Sequence, residues 1–347
     1  MNGSGNLARF ILMTALSFSS IASGKIPKNI ILFIVDGMGP EQLEVGRIYV
    51  GAKEFVLDSF PVKGQVTTCN AHGLLKNGDC DPNSTTVTDS AAAATAMATG
   101  KKVSNGVLSR ALPGDNKNLS TILEKMKAKK KSTGLVTTCL STDATPAAFG
   151  AHVARRAAAQ DIANQYFANS TPNIILGASL PFMKAMATGA TVKYNVVASN
   201  GELEKLRGKI KRGKLACKNG RCPHVLGLFG SHPLLPNWGV ELGGTLPLEA
   251  SGKSRFESLD LPHLSDMTQA AVELLNQNKN GFFLMVESGL VDWIGHKNPF
   301  FEGGASPSAV EALAKELEEA NKALKYLNPS QKCLSKIMMD AKCTNAR

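Results

Sequence analysis

The sequence predicts an α/β fold, a three-layer arrangement in which a central, mostly parallel sheet is flanked by helices. Short, almost wholly apolar runs recur along the chain, and unbroken runs of this kind are typical of strands buried on both faces. Helical patterns lie between the runs, and this alternation indicates a parallel sheet. At 347 residues and 43% hydrophobic content, the chain is large enough to form a sizeable core. The apolar runs are 29–35, 134–139, 173–176, 225–229 and 282–286.

The helices of this fold are predicted between and after the strands. The segments 119–127, 157–167 and 267–275 have helical patterns, and 311–327 is an amphipathic helix. Segments rich in Gly, Asn and Lys interrupt the alternation and are predicted to be irregular surface loops, with a role at the rim of a site as the alternative. These insertions are 64–84 and 199–222.

The N-terminus has the pattern of a secretory signal peptide. Arg9 precedes an apolar run at 10–22, and small residues follow up to Gly24. The run is too short for a typical transmembrane helix, so a retained membrane anchor is the weaker alternative. We therefore expect residues 1–24 to be cleaved, residues 25–347 to form one α/β domain, and the protein to be secreted, either periplasmic or extracellular.

The cysteines also indicate an oxidising compartment. Six of the seven fall into local pairs that would each close a short loop. Zinc binding by the CKNGRC segment is the alternative for one pair. The remaining cysteine, Cys139, lies in an apolar run and is predicted to be a buried thiol. The predicted pairs are Cys69 with Cys80, Cys217 with Cys222, and Cys333 with Cys343.

The chain carries a formal net charge of +11, from 39 basic and 28 acidic residues. Much of the excess lies in two basic runs, 125–131 and 205–218. No aromatic residues are interleaved with them, and the chain has no nucleic-acid-binding motif, so we predict solvated surfaces. A basic surface attracts anionic substrates at long range.

The segment 85–100, TTVTDSAAAATAMATG, predicts a helix with a polar N-terminus. Alanine is the strongest helix former, and Thr88, Asp89 or Ser90 is the natural N-cap. The N-terminus of a helix favours negative charge. The hydroxyl of Ser90 is therefore either a nucleophile for a phosphorylated substrate or simply a cap.

Polar side chains follow the apolar runs at the points where the predicted strands end. Ligands of open α/β sheets bind beyond the carboxyl ends of the strands, so these side chains are expected to converge there. Oxygen ligands together with a histidine predict a mixed zinc and magnesium site. The residues are Asp36, Asp143, Thr145, Glu287, Asp292 and His296.

Four motifs together resemble the alkaline phosphatase family. They are VDGMG at 35–39, TDSAAAATAMATG at 88–100, DATPAAFGAHVARR at 143–156 and GFFLMVESGLVDWIGH at 281–296, in the order the family has them. The resemblance implies hydrolysis of phosphate monoesters through a phosphoserine, with two zinc ions and one magnesium ion as cofactors. It also implies small phosphomonoesters and inorganic phosphate as partners, and a homodimer.

The resemblance assigns a role to each matching residue. Ser90 would be the nucleophile, and Arg156 would hold two phosphate oxygens in a bidentate fork. Metal coordination would activate the serine, which is barely ionised at neutral pH. Asp36 would bridge one zinc, which also binds Ser90, and the magnesium. The further ligands would be Thr145 and Glu287 for magnesium, with Asp143 nearby, and Asp292 and His296 for the other zinc.

The sequence departs from the family pattern after its last motif. The family has a later aspartate–histidine pair and a further histidine as zinc ligands, but no histidine follows His296 here. Both zinc sites are then incomplete, and the final strands of the sheet are expected to be absent. We therefore expect weak or no phosphatase activity from this chain alone. The alternative function is a truncated or non-catalytic homologue that binds phosphate or metal without turnover.

Overall fold

The computed structural model describes residues 27–51, 55–218, 220–230, 260–296 and 307–327. These residues form a six-stranded sheet in the order β1-β6-β2-β3-β5-β4. Every pair of neighbouring strands is parallel, which confirms the predicted fold class. The strands are β1 (Ile30–Val35), β2 (Ser132–Leu140), β3 (Ile174–Ala178), β4 (Tyr194–Val197), β5 (His224–Gly227) and β6 (Phe282–Ser288).

Helices connect the strands and cover both faces of the sheet. None of those in the described ranges is long and apolar enough to cross a membrane. The helices are α1 (Pro40–Val50), α2 (Ser90–Thr99), α3 (Ile122–Ala128), α4 (Ala144–Gly150), α5 (Ala159–Gln165), α6 (Phe182–Thr188), α7 (Asn200–Lys211), α8 (Leu264–Leu275), α9 (Leu290–His296) and α10 (Pro307–Leu327).

The sheet separates two hydrophobic cores. Successive residues of a strand point to opposite faces, and in β2 Leu135 packs on one side while Val136 packs on the other. In β6, Phe282 and Phe283 divide in the same way. Helices α2 to α6 contribute to the core that holds Leu135, and α7, α8 and α10 to the other. Each large apolar side chain buried in these cores contributes roughly 1.5–3 kcal/mol.

Strand β1 lies at an edge of the sheet and is less buried than its sequence predicts. Only Ile30 and Ile31 are buried, whereas the other four residues of the strand are partly exposed. The reason is that β1 pairs with β6 on one side and has no second neighbour among the described strands. The pairing continues past the strand, because the Asp36 amide donates to the Ser288 carbonyl at 3.1 Å.

One predicted loop contains a regular helix. The insertion 199–222 holds α7, and the Ser199 side chain caps it by accepting from the amide of Glu202 at 3.3 Å. Leu203 and Ile210 lie on its buried face. The prediction of an irregular segment was therefore wrong over half of this insertion. The insertion 64–84 is irregular as predicted, apart from a single short turn.

The cysteines that the structure describes have the predicted states. Two disulfides close short loops, one of 11 and one of 5 residues in sequence separation, and the remaining thiol is buried and free. The third predicted pair, Cys333 with Cys343, lies outside the described residues, as does the predicted signal peptide. The observed disulfides are Cys69–Cys80 and Cys217–Cys222.

A charged histidine links the segment after α4 to the start of α3. The His152 Nδ1 lies 2.8 Å from the Ser109 carbonyl oxygen, and Nε2 lies 2.8 Å from Glu124 Oε1. Because both partners only accept hydrogen bonds, both ring nitrogens donate at once only when the ring is an imidazolium. Burial lowers the pKa of His152, but these two bonds outweigh burial and raise it. Burial raises the pKa of Glu124, but its bonds to His152 and Thr121 lower it overall.

The stability of the protein is expected to depend on pH through this pair. Since the pKa of His152 is raised, its contribution is fully present below the ordinary value of 6.5 and is lost as pH rises through the folded value. Since the pKa of Glu124 is lowered, its contribution is fully present above 4.5 and is lost as pH falls through the folded value. The pair therefore contributes most between these two values, by about 1 kcal/mol or less because Glu124 is partly exposed.

The matched variant is Glu124→Gln, which keeps a side chain able to close the capping box with Thr121. Urea unfolding of the chain and of Glu124→Gln at pH 5.5 and 8.5 measures the effect. The free-energy difference between the two proteins should be larger at pH 5.5. An equal difference at both pH values would contradict the charged pair.

Candidate active site

Three neighbouring strands bring the candidate residues to one edge of the sheet. Strands β1, β6 and β2 lie side by side, and the register places Glu287 of β6 beside Ile34 of β1 and Thr137 of β2. Asp36 directly follows β1, and Asp143 follows β2. The carboxyl ends of parallel strands meet at this edge, where open α/β sheets bind their ligands.

Ser90 is the first residue of α2, and its hydroxyl takes no part in capping. Asp89 is the N-cap, and its Oδ1 accepts from the Ala92 amide at 2.9 Å. The Ser90 Oγ instead donates to Asp36 Oδ2 at 2.8 Å. Asp89, and not Ser90, therefore has the capping role. The Ser90 hydroxyl faces the Asp36 carboxylate at the carboxyl ends of the strands.

Helix α2 is held against α4 by alanine side chains. Both helices begin at the carboxyl edge of the sheet, α2 with Ser90 and α4 with Ala144, and they pack into the same core cluster. Alanine allows two helices to approach closely, towards the short end of the usual interaxial range of about 8–10 Å. The buried alanines of the two helices in this cluster are Ala91, Ala94, Ala98, Ala144, Ala147 and Ala148.

Glu287 is a buried carboxylate with two hydroxyl partners. The Thr137 hydroxyl donates to its Oε2 at 2.5 Å, and the Thr145 hydroxyl also bonds to it. Burial and then the charge of Asp36 raise the pKa of Glu287 to about 8, although both hydroxyls lower it. A carboxylate in this position is stabilised when a cation lies beside it.

Asp292 reaches the site because a glycine lies against its backbone. Gly37 has φ +68°, and a Cβ there would lie 2.6 Å from the Asp292 Cα, closer than any real contact. The Asp292 Oδ1 lies 3.5 Å from Nε2 of His296, whose side chain is 79% exposed. Burial and then the charge of Asp36 raise the pKa of Asp292, while His296 lowers it.

Arg156 is the cation of the site. Its Nη2 donates to Asp143 Oδ1 at 2.9 Å, and its Nη1 lies 3.6 Å from Asp89 Oδ2. Burial lowers the pKa of Arg156, but the two carboxylates outweigh burial and raise it, so the guanidinium stays charged. The Gly106 amide also donates to Asp89 Oδ2, at 2.9 Å.

The donors at this edge have the chemistry of a metal site. Among the residues that the structure describes, no three His, Cys, Asp or Glu side chains lie close enough to hold one ion. Asp36 and Glu287, with the hydroxyl of Thr145, nevertheless form an oxygen set of the kind that magnesium prefers. The charge of Asp36 raises the pKa of Glu287, and a bound cation would relieve that repulsion. The donor set therefore fits magnesium, and Asp292 with His296 fits part of a zinc site.

Some residues of the site have no obvious sequence signal. The sequence indicates Asp89 only as a candidate N-cap, yet its carboxylate also faces Arg156. Glu316 of α10 is buried beside Ser288, and burial and then Glu319 raise its pKa to about 8. A carboxylate in an amphipathic helix is normally predicted to be exposed to solvent. Only the position of Glu316 relative to the apolar face of α10 could have indicated that it is buried.

The structure therefore belongs to the class of parallel α/β proteins, with a serine at a helix N-terminus, an arginine and several carboxylates at the carboxyl ends of its strands. The sequence profile of the alkaline phosphatase family matches residues 27–181 and 212–327. The chain therefore belongs to the alkaline phosphatase family, and the predicted resemblance is confirmed.

Individual relatives agree with this assignment. Alkaline phosphatase 3 of Bacillus subtilis is 33% identical over 318 residues, which cover 83% of this chain and 59% of the relative. Alkaline phosphatase of Escherichia coli is 32% identical over 332 residues, covering 86% of this chain and 68% of the relative. A cold-active alkaline phosphatase from Shewanella superposes with a TM-score of 0.62 at 28% identity, covering 86% of this chain and 63% of that structure. The chain thus spans about three fifths of the Bacillus relative.

Proposed function

We propose that this chain carries the phosphate-binding arginine and the nucleophilic serine of a phosphate monoester hydrolase, with Ser90 as the nucleophile. The observation that carries the proposal is the 2.8 Å bond from the Ser90 hydroxyl to Asp36. This bond directs the Ser90 hydroxyl towards the carboxyl ends of the strands, and Asp36 accepts its proton in the hydrogen bond. Attack of that oxygen on phosphorus would form phosphoserine and release the alcohol, and water would then release phosphate.

Arg156 is proposed to bind the phosphate. Its planar guanidinium has five N–H donors, more than the contacts with Asp143 and Asp89 use. Two donors in a fork match two phosphate oxygens. The carboxylates would hold the guanidinium in place before the phosphate arrives, so little side-chain freedom is lost on binding.

The proposed cofactors are magnesium and zinc. Asp36, Thr145 and Glu287 would hold magnesium. Asp36 and Ser90 would contact one zinc, and Asp292 and His296 the other. When bound, the ions would supply positive charge that stabilises the ionised serine oxygen and the charge developing at phosphorus.

A second candidate function is phosphate or metal binding without turnover. The observation that favours it is the pair Asp292 and His296, since the described part of the chain offers two ligands there and a catalytic zinc usually has three from the protein.

Secretion is proposed from the signal-peptide pattern at residues 1–24. Small phosphomonoesters and inorganic phosphate as partners, and a homodimer, are proposed from the family resemblance. The disulfides Cys69–Cys80 and Cys217–Cys222 support an oxidising compartment.

One assay separates the two functions. The purified chain is supplied with zinc and magnesium, turnover of 4-nitrophenyl phosphate is measured, and bound metals and phosphate are counted per chain. Turnover that Arg156→Ala removes and that the exposed control Arg212→Ala retains supports the hydrolase. Phosphate binding that depends on Arg156, without turnover, supports the binding protein. A chain that shows neither would rule out both.

A further inference from the structure

A cavity of about 450 Å³ lies beside the connection between α4 and α5. It is distinct from the site around Ser90, since none of the candidate ligands or nucleophiles lines it. The lining residues that matter for its chemistry are Arg110, His152, Arg155, Asp161 and Asn164.

The cavity and the Arg156 site share one short piece of backbone. Leu108 and Val153 pair in both directions, with amide-to-carbonyl distances of 2.9 and 3.0 Å, and the Arg156 amide donates to the Gly106 carbonyl at 2.7 Å. Arg155 lines the cavity, whereas the next residue, Arg156, reaches Asp143. The Cα atoms of consecutive residues lie about 3.8 Å apart, so two neighbouring arginines serve two adjacent sites.

The lining has an excess of positive charge. Arg110 donates through Nε and Nη2 to the Asn116 carbonyl, at 3.2 and 2.7 Å, and retains its full charge. Arg155 is exposed and has no ion-pair partner within the described ranges of the chain. His152 also lines the cavity, and its Nε2 is paired with Glu124 Oε1 at 2.8 Å. Asp161 is the single carboxylate among the lining residues. Glu124 offsets the charge of His152, so Arg110 and Arg155 against Asp161 leave the cavity with an excess of positive charge.

We propose that this cavity binds a phosphate-type anion, separate from the one at Arg156. Arg155 and Arg110 bind its oxygens with guanidinium groups that have no carboxylate partner among the residues the structure describes, and Asn164 of α5 offers amide donors. The same chemistry has two sources: free inorganic phosphate, or the second phosphate of a doubly phosphorylated small molecule. The second source rests on the proposed hydrolase function, and the first does not.

The binding test isolates the cavity with an Arg156→Ala chain in the presence of a chelator, and uses inorganic phosphate as the probe. Amide NMR signals of residues 152–155 report its occupancy. Arg155→Ala added to this chain is expected to weaken the phosphate affinity by about fivefold. Arg212→Ala, which removes an exposed charge on the opposite face of the sheet, should leave it unchanged, and Asp161→Asn should strengthen it. Unchanged affinity in the Arg155→Ala chain would overturn the proposal.

The source of the anion is distinguished in the otherwise unaltered chain with metals added. If a substrate phosphate is the ligand, Arg155→Ala raises KM for fructose 1,6-bisphosphate more than KM for glucose 6-phosphate, with kcat little changed. If free phosphate is the ligand, both KM values respond equally while phosphate binding at 152–155 is still weakened. The NMR result needs no turnover, so failure of the hydrolase proposal is seen separately.

Discussion

Ser90→Ala is expected to abolish phosphorylation of the chain and to lower any phosphomonoester turnover by about a thousandfold or more. The reason is that Ala has no oxygen to attack phosphorus, while Asp36, its partner at 2.8 Å, remains in place. The loss should not come from unfolding. Ser90 is the first helical residue rather than the cap, Ala is a better helix former, and the single lost hydrogen bond contributes about 1 kcal/mol.

The measurement is acid quenching after exposure to a phosphomonoester, followed by peptide mass spectrometry. The phosphoryl group should appear on the peptide that contains Ser90 and be absent from Ser90→Ala. Ser84→Ala is the matched control, because that hydroxyl bonds to Thr86 rather than to a carboxylate of the site. Equal labelling of the Ser90→Ala chain would show that another group is the nucleophile.

Gly37→Ala is expected to destabilise the protein by about 2–4 kcal/mol. Two effects add: the residue has φ +68°, which a side chain disfavours, and the new methyl group would meet the Asp292 backbone at 2.6 Å. Since backbone cannot rotate away as a flexible side chain can, Asp292 and the start of α9 must move. Both urea unfolding and metal affinity should respond.

The control for backbone strain alone is Gly51→Ala. Gly51 has φ +60° but nothing lies within 4 Å of a Cβ built there, so this change should remove only about 1 kcal/mol. If the two variants lose the same free energy of unfolding, crowding against Asp292 contributes nothing and the close approach is not a constraint.

The sheet could be predicted from the sequence because its central strands are continuous apolar runs. In β2 and β6 every residue except Leu140 is buried, and such strands need no alternation to be recognised. Strand β4 went unpredicted because it is short and lies at an edge, with Asn195 and Val196 exposed. Helix α7 is not predicted because its sequence is rich in glycine and lysine. The helix is stabilised by packing of its buried face, which composition does not show.

The candidate site could be predicted as a set of residues but not as a geometry. Strand ends and the family motifs indicate which side chains converge. The contact of Ser90 with Asp36 and the orientation of Arg156 by Asp143 and Asp89 depend on how separate helices meet. The need for glycine at Gly37 arises from α9, whose approach no local pattern reveals. The assignment of these residues as metal ligands remains a prediction.

The alanine contact between α2 and α4 has a mechanical consequence. Alanine has no side-chain rotamers, so this interface loses almost no side-chain entropy on folding and has no alternative packing to adopt. The spacing between Ser90 and Thr145 is therefore set by two backbones rather than by adjustable side chains. Ala94 and Ala147 are both fully buried. A larger residue at either position would push the two helices apart and change the spacing between Ser90 and Thr145. The alanine contact thus fixes the relative positions of the side chains at the N-termini of α2 and α4.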